Sequence, residues 1–286
     1  MSSTSSRRHV SRAWRIAPLI LSLAACSHTT PNQAAYGAGS STNPQSVARA
    51  PQPRLAPDAG PADVLVAYAQ AQLVGAPRET EVQWLATDLD LAKANKTTAW
   101  NAVWTELARE VRAGNVNFTE LRPYEDGAVA ASDACVDKEV ATLDRLHDML
   151  GQNERGIVAL NVRNDQAVQL TAAEVTPGQA AHLVKLTKML DLDVDQQRAV
   201  ASIVDAQPPK ADMKADKDAR MARVLDDFPL STFNARSSLI GSDSPPSARL
   251  REKIEHKAAF LAQLVPILRP DQRERLAVHI ESHERQ

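Results

Sequence analysis

Apolar residues recur three and four positions apart along most of the chain beyond residue 61, which is the spacing of an amphipathic α-helix. Four stripes are clearest, and their members are Trp100, Val103, Trp104, Leu107 and Val111; Val136, Val140, Leu143, His147 and Leu150; Leu183, Leu186 and Leu190; and Leu250, Ile254, Ala258, Leu261, Val265 and Leu268. No segment alternates apolar and polar residues as a half-buried strand would. The pattern predicts an all-α fold.

An internal repeat organises these helices. Residues Ala141–Val162 align with Ala259–Ile280, and the aligned pairs are Leu146 with Leu264, Leu150 with Leu268, Arg155 with Arg273, and Val162 with Ile280. Upstream, Asn117-Phe118 aligns with Thr232-Phe233, and Leu89-Asp90-Leu91 aligns with Leu190-Asp191-Leu192. Two divergent copies of this kind indicate one supersecondary unit used twice. We therefore predict a degenerate first helical module over residues 61–178 and a second over residues 179–286.

Two short segments of the second module have the composition of helix starts. In Leu192-Asp193-Val194-Asp195-Gln196, Asp193 can cap free backbone N–H groups while Gln196, three residues later, reaches back. In Leu268-Arg269-Pro270-Asp271-Gln272, Pro270 suits the first helical position and Gln272 takes the reach-back position. The residues predicted to form these structural motifs are Leu192, Asp193, Gln196, Leu268, Pro270 and Gln272.

With these motifs, the segment from about Leu190 to His283 resembles the Spy/CpxP family of periplasmic proteins, which carry paired Leu-Thr-x-x-Gln motifs. Asp193 and Arg269 stand at the threonine positions. In the first copy, Gly151 and Glu154 stand at the threonine and glutamine positions of the second motif. Leu91–Asn95 is the counterpart of the first motif, Leu192–Gln196.

The resemblance implies small helical proteins that are often cradle-shaped antiparallel dimers. Its members are ATP-independent chaperones, envelope-stress or metal-stress regulators, or zinc-binding proteins. Surfaces that pair between subunits can also pair between duplicated domains. Two copies in one chain therefore lead us to expect an intramolecular pseudo-dimer, while the oligomeric state stays open.

The N-terminus has the layout of an export signal. Four arginines precede the short apolar run Ile16–Ala25, and Leu23-Ala24-Ala25-Cys26 resembles the lipobox of bacterial lipoproteins. We predict a signal peptide over residues 1–25, lipidation at Cys26, and a flexible tether over residues 26–60 that is rich in Ser, Pro, Ala and Gly. Ser27 favours the outer membrane by resemblance to the lipoprotein sorting rule. The alternative is a soluble secretory signal that leaves Cys26 as an ordinary thiol.

Composition and charge support a helix bundle and disfavour nucleic acid as a partner. Aromatic residues are 4% of the chain and glycines number 10. The net charge is -2 and becomes more acidic once the four signal arginines are removed. Once Cys26 is lipidated, Cys135 is the one remaining thiol. We predict that Cys135 is a small buried residue, with an intermolecular disulfide as the alternative.

Metal binding has one candidate pair. His279 and His283 lie four apart on the last predicted helix, so both imidazoles can face one way, and His256 is a conjectural third ligand. The alternative is a solvated helix, and we predict no metal, with zinc as the ion to test. His147 and His182 lie beside leucines and are expected to pack at helix interfaces.

Two further groups of residues are candidates for contacting a client protein. Trp84, Trp100 and Trp104 could offer an apolar platform, although their stripe is more typical of a bundle core. The charged run over residues 212–220 could contact a client, although alternating charges are usual on a solvated helix face.

The function expected from the sequence is binding rather than catalysis. The chain has no Gly-rich phosphate loop, nucleophile elbow or His-Glu-x-x-His, so we predict no enzyme. The leading hypothesis is a periplasm-facing lipoprotein that binds unfolded or stress-exposed envelope proteins as an ATP-independent chaperone and touches the membrane only through its lipid anchor. The alternatives are a metal-responsive or signalling lipoprotein that acts through a sensor protein, and a structural envelope protein.

Overall fold

The computed structural model describes residues 53, 55–56, 59–169, 179–207, 213–241 and 246–283, and all regular structure among them is helical. The predicted all-α fold is confirmed. The helices are α1 (Pro61–Gln72), α2 (Glu79–Ala113), α3 (Phe118–Met149), α4 (Gln152–Gln169), α5 (Gln179–Leu190), α6 (Val194–Asp205), α7 (Met213–Asp227), α8 (Ala235–Ile240), α9 (Pro246–Leu264) and α10 (Pro270–His283), with a short 3-10 turn over Val265–Ile267.

A long antiparallel hairpin of α2 and α3 runs through the described fold. The two helices have 35 and 32 residues and pack along each other. Gly114 ends α2 in the left-handed conformation (φ 86°), and Asn117 caps α3 by accepting from the Thr119 N–H at 3.0 Å. The turn is held further by Arg109, which contacts the carboxylates of Glu106, Glu110 and Glu120.

The first hydrophobic core lies at one end of the hairpin. It is built by α1, the first half of α2, the second half of α3, α4, α7 and α8. Phe228 of α7 is fully buried there, and its ring meets the rings of His147 and Phe233 edge-on at centroid distances of 5.8 and 5.4 Å. His147 is buried, and its Nε2 lies 2.8 Å from the Leu230 carbonyl oxygen, so this ring ties α3 to the segment after α7.

The second hydrophobic core lies at the other end of the hairpin. It is built by the second half of α2, the first half of α3, α5, α6, α9, the 3-10 turn and α10. Trp104 and Leu107 of α2 are buried in this core together with Ile254 and Leu261 of α9. On the surface, Arg112 of α2 binds two carboxylates of α10.

Both cores therefore use helices from each side of the repeat boundary predicted at residues 178/179. The hairpin of the first module contributes to both cores, and α7 and α8 of the second module complete the first one. The boundary stays a prediction about the repeat, and it does not separate two hydrophobic cores. None of the described helices combines the length and apolarity that a membrane span requires.

Candidate functional site: paired helix starts and exposed apolar faces

The two glutamines of the second-module motifs bind each other inside the protein. Gln196 Nε2 donates to Gln272 Oε1 at 2.8 Å, and Gln272 Nε2 donates to Gln196 Oε1 at 2.9 Å. Gln272 is fully buried and Gln196 is 8% exposed. We call this arrangement the glutamine clasp. It joins the turn between α5 and α6 to the turn before α10.

Each glutamine also binds backbone groups in a matching way. The Oε1 atoms accept from the N–H groups of Asp193 and Arg269, three residues earlier, at 3.2 and 2.9 Å. The Nε2 atoms donate across the clasp, from Gln196 to the Ile267 carbonyl at 2.9 Å and from Gln272 to the Asp191 carbonyl at 3.1 Å. Because each amide oxygen and nitrogen has two partners, these hydrogen bonds offset the cost of burying the amides.

The backbone beside the clasp has the geometry of a tight helix-to-helix turn. Asp193 is the N-cap of α6, and its carboxylate accepts from the N–H groups of Asp195 and Gln196. Asp191 adopts a left-handed conformation (φ 54°), while the Leu192 N–H bonds to the Thr187 carbonyl, which is the pattern of a Schellman helix end. Leu192 and Leu268, the leucines of the two motifs, are both buried in the second core.

The first module has a charged counterpart of this clasp. Glu154, which aligns with Gln272, accepts from the Gly151 N–H at 2.7 Å, as Gln272 accepts from Arg269. Arg78 donates to Glu154 Oε1 at 2.6 Å and also to the Met149 carbonyl. The Gly151 N–H and then Arg78 hold the pKa of Glu154 below its usual value. We call this contact the Arg78–Glu154 clasp.

The structure corrects the position of the first-module motif. Leu91–Asn95 lies in the middle of α2 and starts no helix, because nothing in that segment breaks the helical period. Likewise Leu89–Leu91 is helical, whereas its aligned partner Leu190–Leu192 crosses a turn. The helix start lies earlier, after Gly75 (φ 75°) and Pro77, where Arg78 is the N-cap of α2. Sequence reasoning missed Arg78, although Gly75 and Pro77 marked the boundary.

The three tryptophans do not form one platform. Trp104 is buried and Trp100 is partly buried against the second core, with their rings 5.0 Å apart in an edge-on contact. Lys253 and Lys257 of α9 lie over these rings at 5.1 and 5.5 Å. Trp84 is 68% exposed, so the core prediction is wrong for this residue. Trp84 lies roughly 160° around α2 from Trp100 and Trp104, so it faces away from the buried side that Val82 and Leu89 form at the same level of the helix.

The structure partly describes the metal-ligand candidates. His279 is partly buried on α10 and His256 is exposed on α9, while the side chains of His283 and His182 lie outside the described residues. Three carboxylates, those of Glu106, Glu110 and Glu120, converge within 4.8 Å. Arg109 already binds all three, which makes this group an ion-pair network at the hairpin turn.

Cys135 is 1% exposed on α3, in the position predicted for a small buried residue. Desolvation, and next the nearby Glu139, raise the pKa of this thiol, so it is held in the unreactive protonated form. Cys26, the signal peptide and most of the predicted tether lie outside the described residues. Within the charged run, Asp216 and Asp218 are exposed on α7 and Asp212 is not described.

Exposed apolar side chains stand at equivalent positions of the two repeats. Leu160 on α4 and Val278 on α10 occupy aligned positions and are 56% and 51% exposed. Ile157 extends the first patch by one helical turn. The second patch opens into a shallow depression of about 350 Å³, which is lined by Met189, Glu274, Arg275, Val278, His279 and Ser282. We call these surfaces the α4 patch and the α10 patch.

Comparisons with known proteins add no family: the chain matches no family model, no curated protein and no solved structure.

Proposed function

We propose that this chain is a periplasm-facing lipoprotein, anchored through Cys26, that binds unfolded or stress-exposed envelope proteins without ATP and without catalysis. The observation that carries the proposal is the pair of exposed apolar patches. A repeated unit keeps apolar residues at buried positions for packing, as at Ala159 and Ala277, which are both buried. Leu160 and Val278 are instead more than half exposed among the described residues, and a shared binding role accounts for both.

The geometry suits weak and reversible binding. The α10 depression is shallow, and charged side chains of Glu274 and Arg275 stand beside Val278 and Met189. Burying one aliphatic side chain stabilises a complex by about 1.5–3 kcal/mol, so a few such contacts hold a client only briefly. The charged side chains of Glu274 and Arg275 stay hydrated, which limits how closely a client can pack onto the apolar residues. In the proposed mechanism a client binds through several weak contacts and leaves without an energy source.

The experiment is suppression of aggregation of a chemically denatured model protein. It uses the mature chain, residues 26–286, with Cys26→Ser, in excess chelator and again with zinc. We expect protection at near-stoichiometric ratios in chelator. The Leu160→Gln/Val278→Gln variant should need at least about threefold more protein for the same protection, because both patches lose an apolar contact.

Val194→Gln is the matched control, because Val194 is 61% exposed on α6 and belongs to neither patch. It should protect as well as the parent chain. Absence of protection in both conditions would exclude the chaperone proposal and leave the sensor-partner and structural alternatives. Protection that appears only with zinc would instead favour the metal-responsive alternative and direct attention to His279 and His283.

A further inference from the structure

The α10 depression, the hollow in the α10 patch, is lined by side chains of two helices. Met189 belongs to α5, and the other lining residues belong to α10 and are Glu274, Arg275, Val278, His279 and Ser282. Its volume of about 350 Å³ is at the lower end of the range for small-molecule pockets. The depression therefore has room for one large side chain of a client and not for a folded surface.

Both acidic and basic lining residues already have a partner of opposite charge. The Glu274 carboxylate accepts from Arg112 Nε at 3.0 Å, and Arg275 donates to the Asp271 carboxylate, one turn earlier on α10, at 2.6 Å. A carboxylate or an ammonium of a client would lose hydration in the depression without gaining an unpaired opposite charge from either residue. The electrostatics of the lining therefore favour an uncharged side chain.

The same lining favours a ring over an aliphatic chain. The thioether of Met189 makes favourable contacts with the edges of aromatic rings. Arg275 and His279 both carry planar groups, and a ring can stack on a guanidinium plane while its N–H groups stay hydrated at the edge. Because the ion pair with Asp271 already orders Arg275, stacking on it costs little additional side-chain entropy.

The α4 patch lacks these groups at the aligned positions. The repeat alignment places Ile157 opposite Arg275 and Asn161 opposite His279, while Leu160 stands opposite Val278. Both patches thus keep an exposed aliphatic residue at the centre, but only the α10 patch surrounds it with planar side chains. The α4 patch is therefore an internal reference for what the lining of the α10 depression adds.

We propose that the α10 depression binds one aromatic side chain of an unfolded client segment. Phenylalanine, tyrosine and tryptophan are uncharged and large enough to contact Met189, Arg275 and His279 together. Folded proteins bury most of their aromatic surface, so an accessible ring distinguishes an unfolded client from a folded one. The inference rests on the proposed client binding and assigns a side-chain preference to one of its two patches.

The test uses nuclear magnetic resonance of residues 26–286 with Cys26→Ser, labelled with ¹³C at the methionine methyl groups. Short Gly/Ser peptides with one central Phe or one central Leu are titrated in excess chelator. We expect the Phe peptide to shift the Met189 methyl resonance through the ring current, while that of Met221, buried in the first core, stays in place. The dissociation constant should be at least about threefold lower for the Phe peptide than for the Leu peptide.

The Arg275→Ile/His279→Asn variant gives the α10 depression the residues of the α4 patch. In this variant the preference for the Phe peptide should disappear, although binding of the Leu peptide should persist. Asn161→Ala is the matched control, because Asn161 is exposed at the α4 position aligned with His279, and it should keep the full preference. Circular dichroism would verify that each variant retains its helicity.

The outcomes separate this inference from the proposed function. Equal affinity for the two peptides, or a preference that survives in Arg275→Ile/His279→Asn, would overturn the inference and leave client binding in place. A chain that suppresses aggregation but shows no Met189 shift with the Phe peptide would also overturn the inference alone. A chain that neither suppresses aggregation nor binds either peptide would exclude the proposed function as well.

Discussion

At the scale of single residues, the side-chain amide of Gln272 connects two turns of the backbone. Its amide binds Gln196, the Arg269 N–H and the Asp191 carbonyl in a fully buried position. Removing a buried amide leaves its partners without hydrogen bonds, and such orphaned groups are more costly than the bond itself. The side chain therefore acts as a fastener between two turns that are distant in sequence.

Gln272→Leu tests this role. We expect the free energy of unfolding to fall by about 3 kcal/mol, because two backbone groups and half of the Gln196 amide would stay unpaired. Urea denaturation followed by circular dichroism measures the change. Gln152→Leu, at an exposed position of α4, is the control and should change stability by less than about 0.5 kcal/mol. Equal midpoints for the two variants would contradict the role of the clasp.

Gly114 is the second residue whose identity the backbone requires. Its φ of 86° is left-handed, and a Cβ there would lie 1.8 Å from Arg273 Nη1. Gly114→Ala should lower the free energy of unfolding by about 1–2 kcal/mol from the backbone alone. Gly127→Ala, on an open surface of α3, should raise it by about 0.5–1 kcal/mol. Thermal unfolding of both variants would show shifts of opposite sign, and shifts of the same sign would contradict the argument.

At the scale of elements, the two clasps fasten equivalent turns with different chemistry. The glutamine clasp uses neutral amides, whereas the Arg78–Glu154 clasp uses an ion pair at a partly exposed site. Protonation of Glu154 removes the ion pair, and no corresponding event affects the glutamines. Acid should therefore weaken the Arg78–Glu154 clasp and leave the glutamine clasp unchanged.

The pH dependence follows from the lowered pKa of Glu154. A carboxyl whose pKa is lower in the folded protein stabilises the fold above its unfolded value, which is near 4.5, and that stabilisation is lost as the pH falls through the folded value. Glu154→Gln should therefore cost up to about 1 kcal/mol at pH 7, given the exposure of the pair, and progressively less as the pH falls below the unfolded value through the lowered folded one. Denaturant titrations of parent and variant at neutral pH and over a series of acidic pH values measure this, and a difference independent of pH would exclude the mechanism.

The sequence predicts the elements better than it predicts their partners. The apolar stripes of residues 100–111 and 136–150 lie in α2 and α3, and the repeat alignment placed Glu154 opposite Gln272. Arg78 was missed because its partners, Met149 and Glu154, are about 70 residues away and become neighbours only in the folded chain. The exposure of Trp84 was predictable from the helical period, because Trp84 lies sixteen residues before Trp100, roughly 160° around α2 and away from the buried stripe.

At the scale of the whole molecule, one hairpin serves two cores. Weakening either core should lower the stability of α2 and α3 together, so both cores should unfold in one transition. This expectation differs from that of two independent modules, each of which would unfold separately.

Phe228→Ala in the first core provides the test. We expect a loss of about 3–5 kcal/mol, and the tryptophan fluorescence of the second core should shift together with the circular dichroism signal. Leu264→Ala, in the second core, is the reciprocal variant, with an expected loss of about 2–5 kcal/mol. A fluorescence transition that stays in place in Phe228→Ala would show that the cores unfold independently.

The shared hairpin also has a consequence for the newly made chain. The first core needs α7 and α8, which are synthesised roughly 70 residues after α4, a delay of roughly 4–14 s at common translation speeds. During that interval the apolar faces of α1 to α4 have emerged without the helices that cover them. Until α7 and α8 are present, the first core lacks the helices that complete it, and its uncovered apolar residues are open to contacts with other chains.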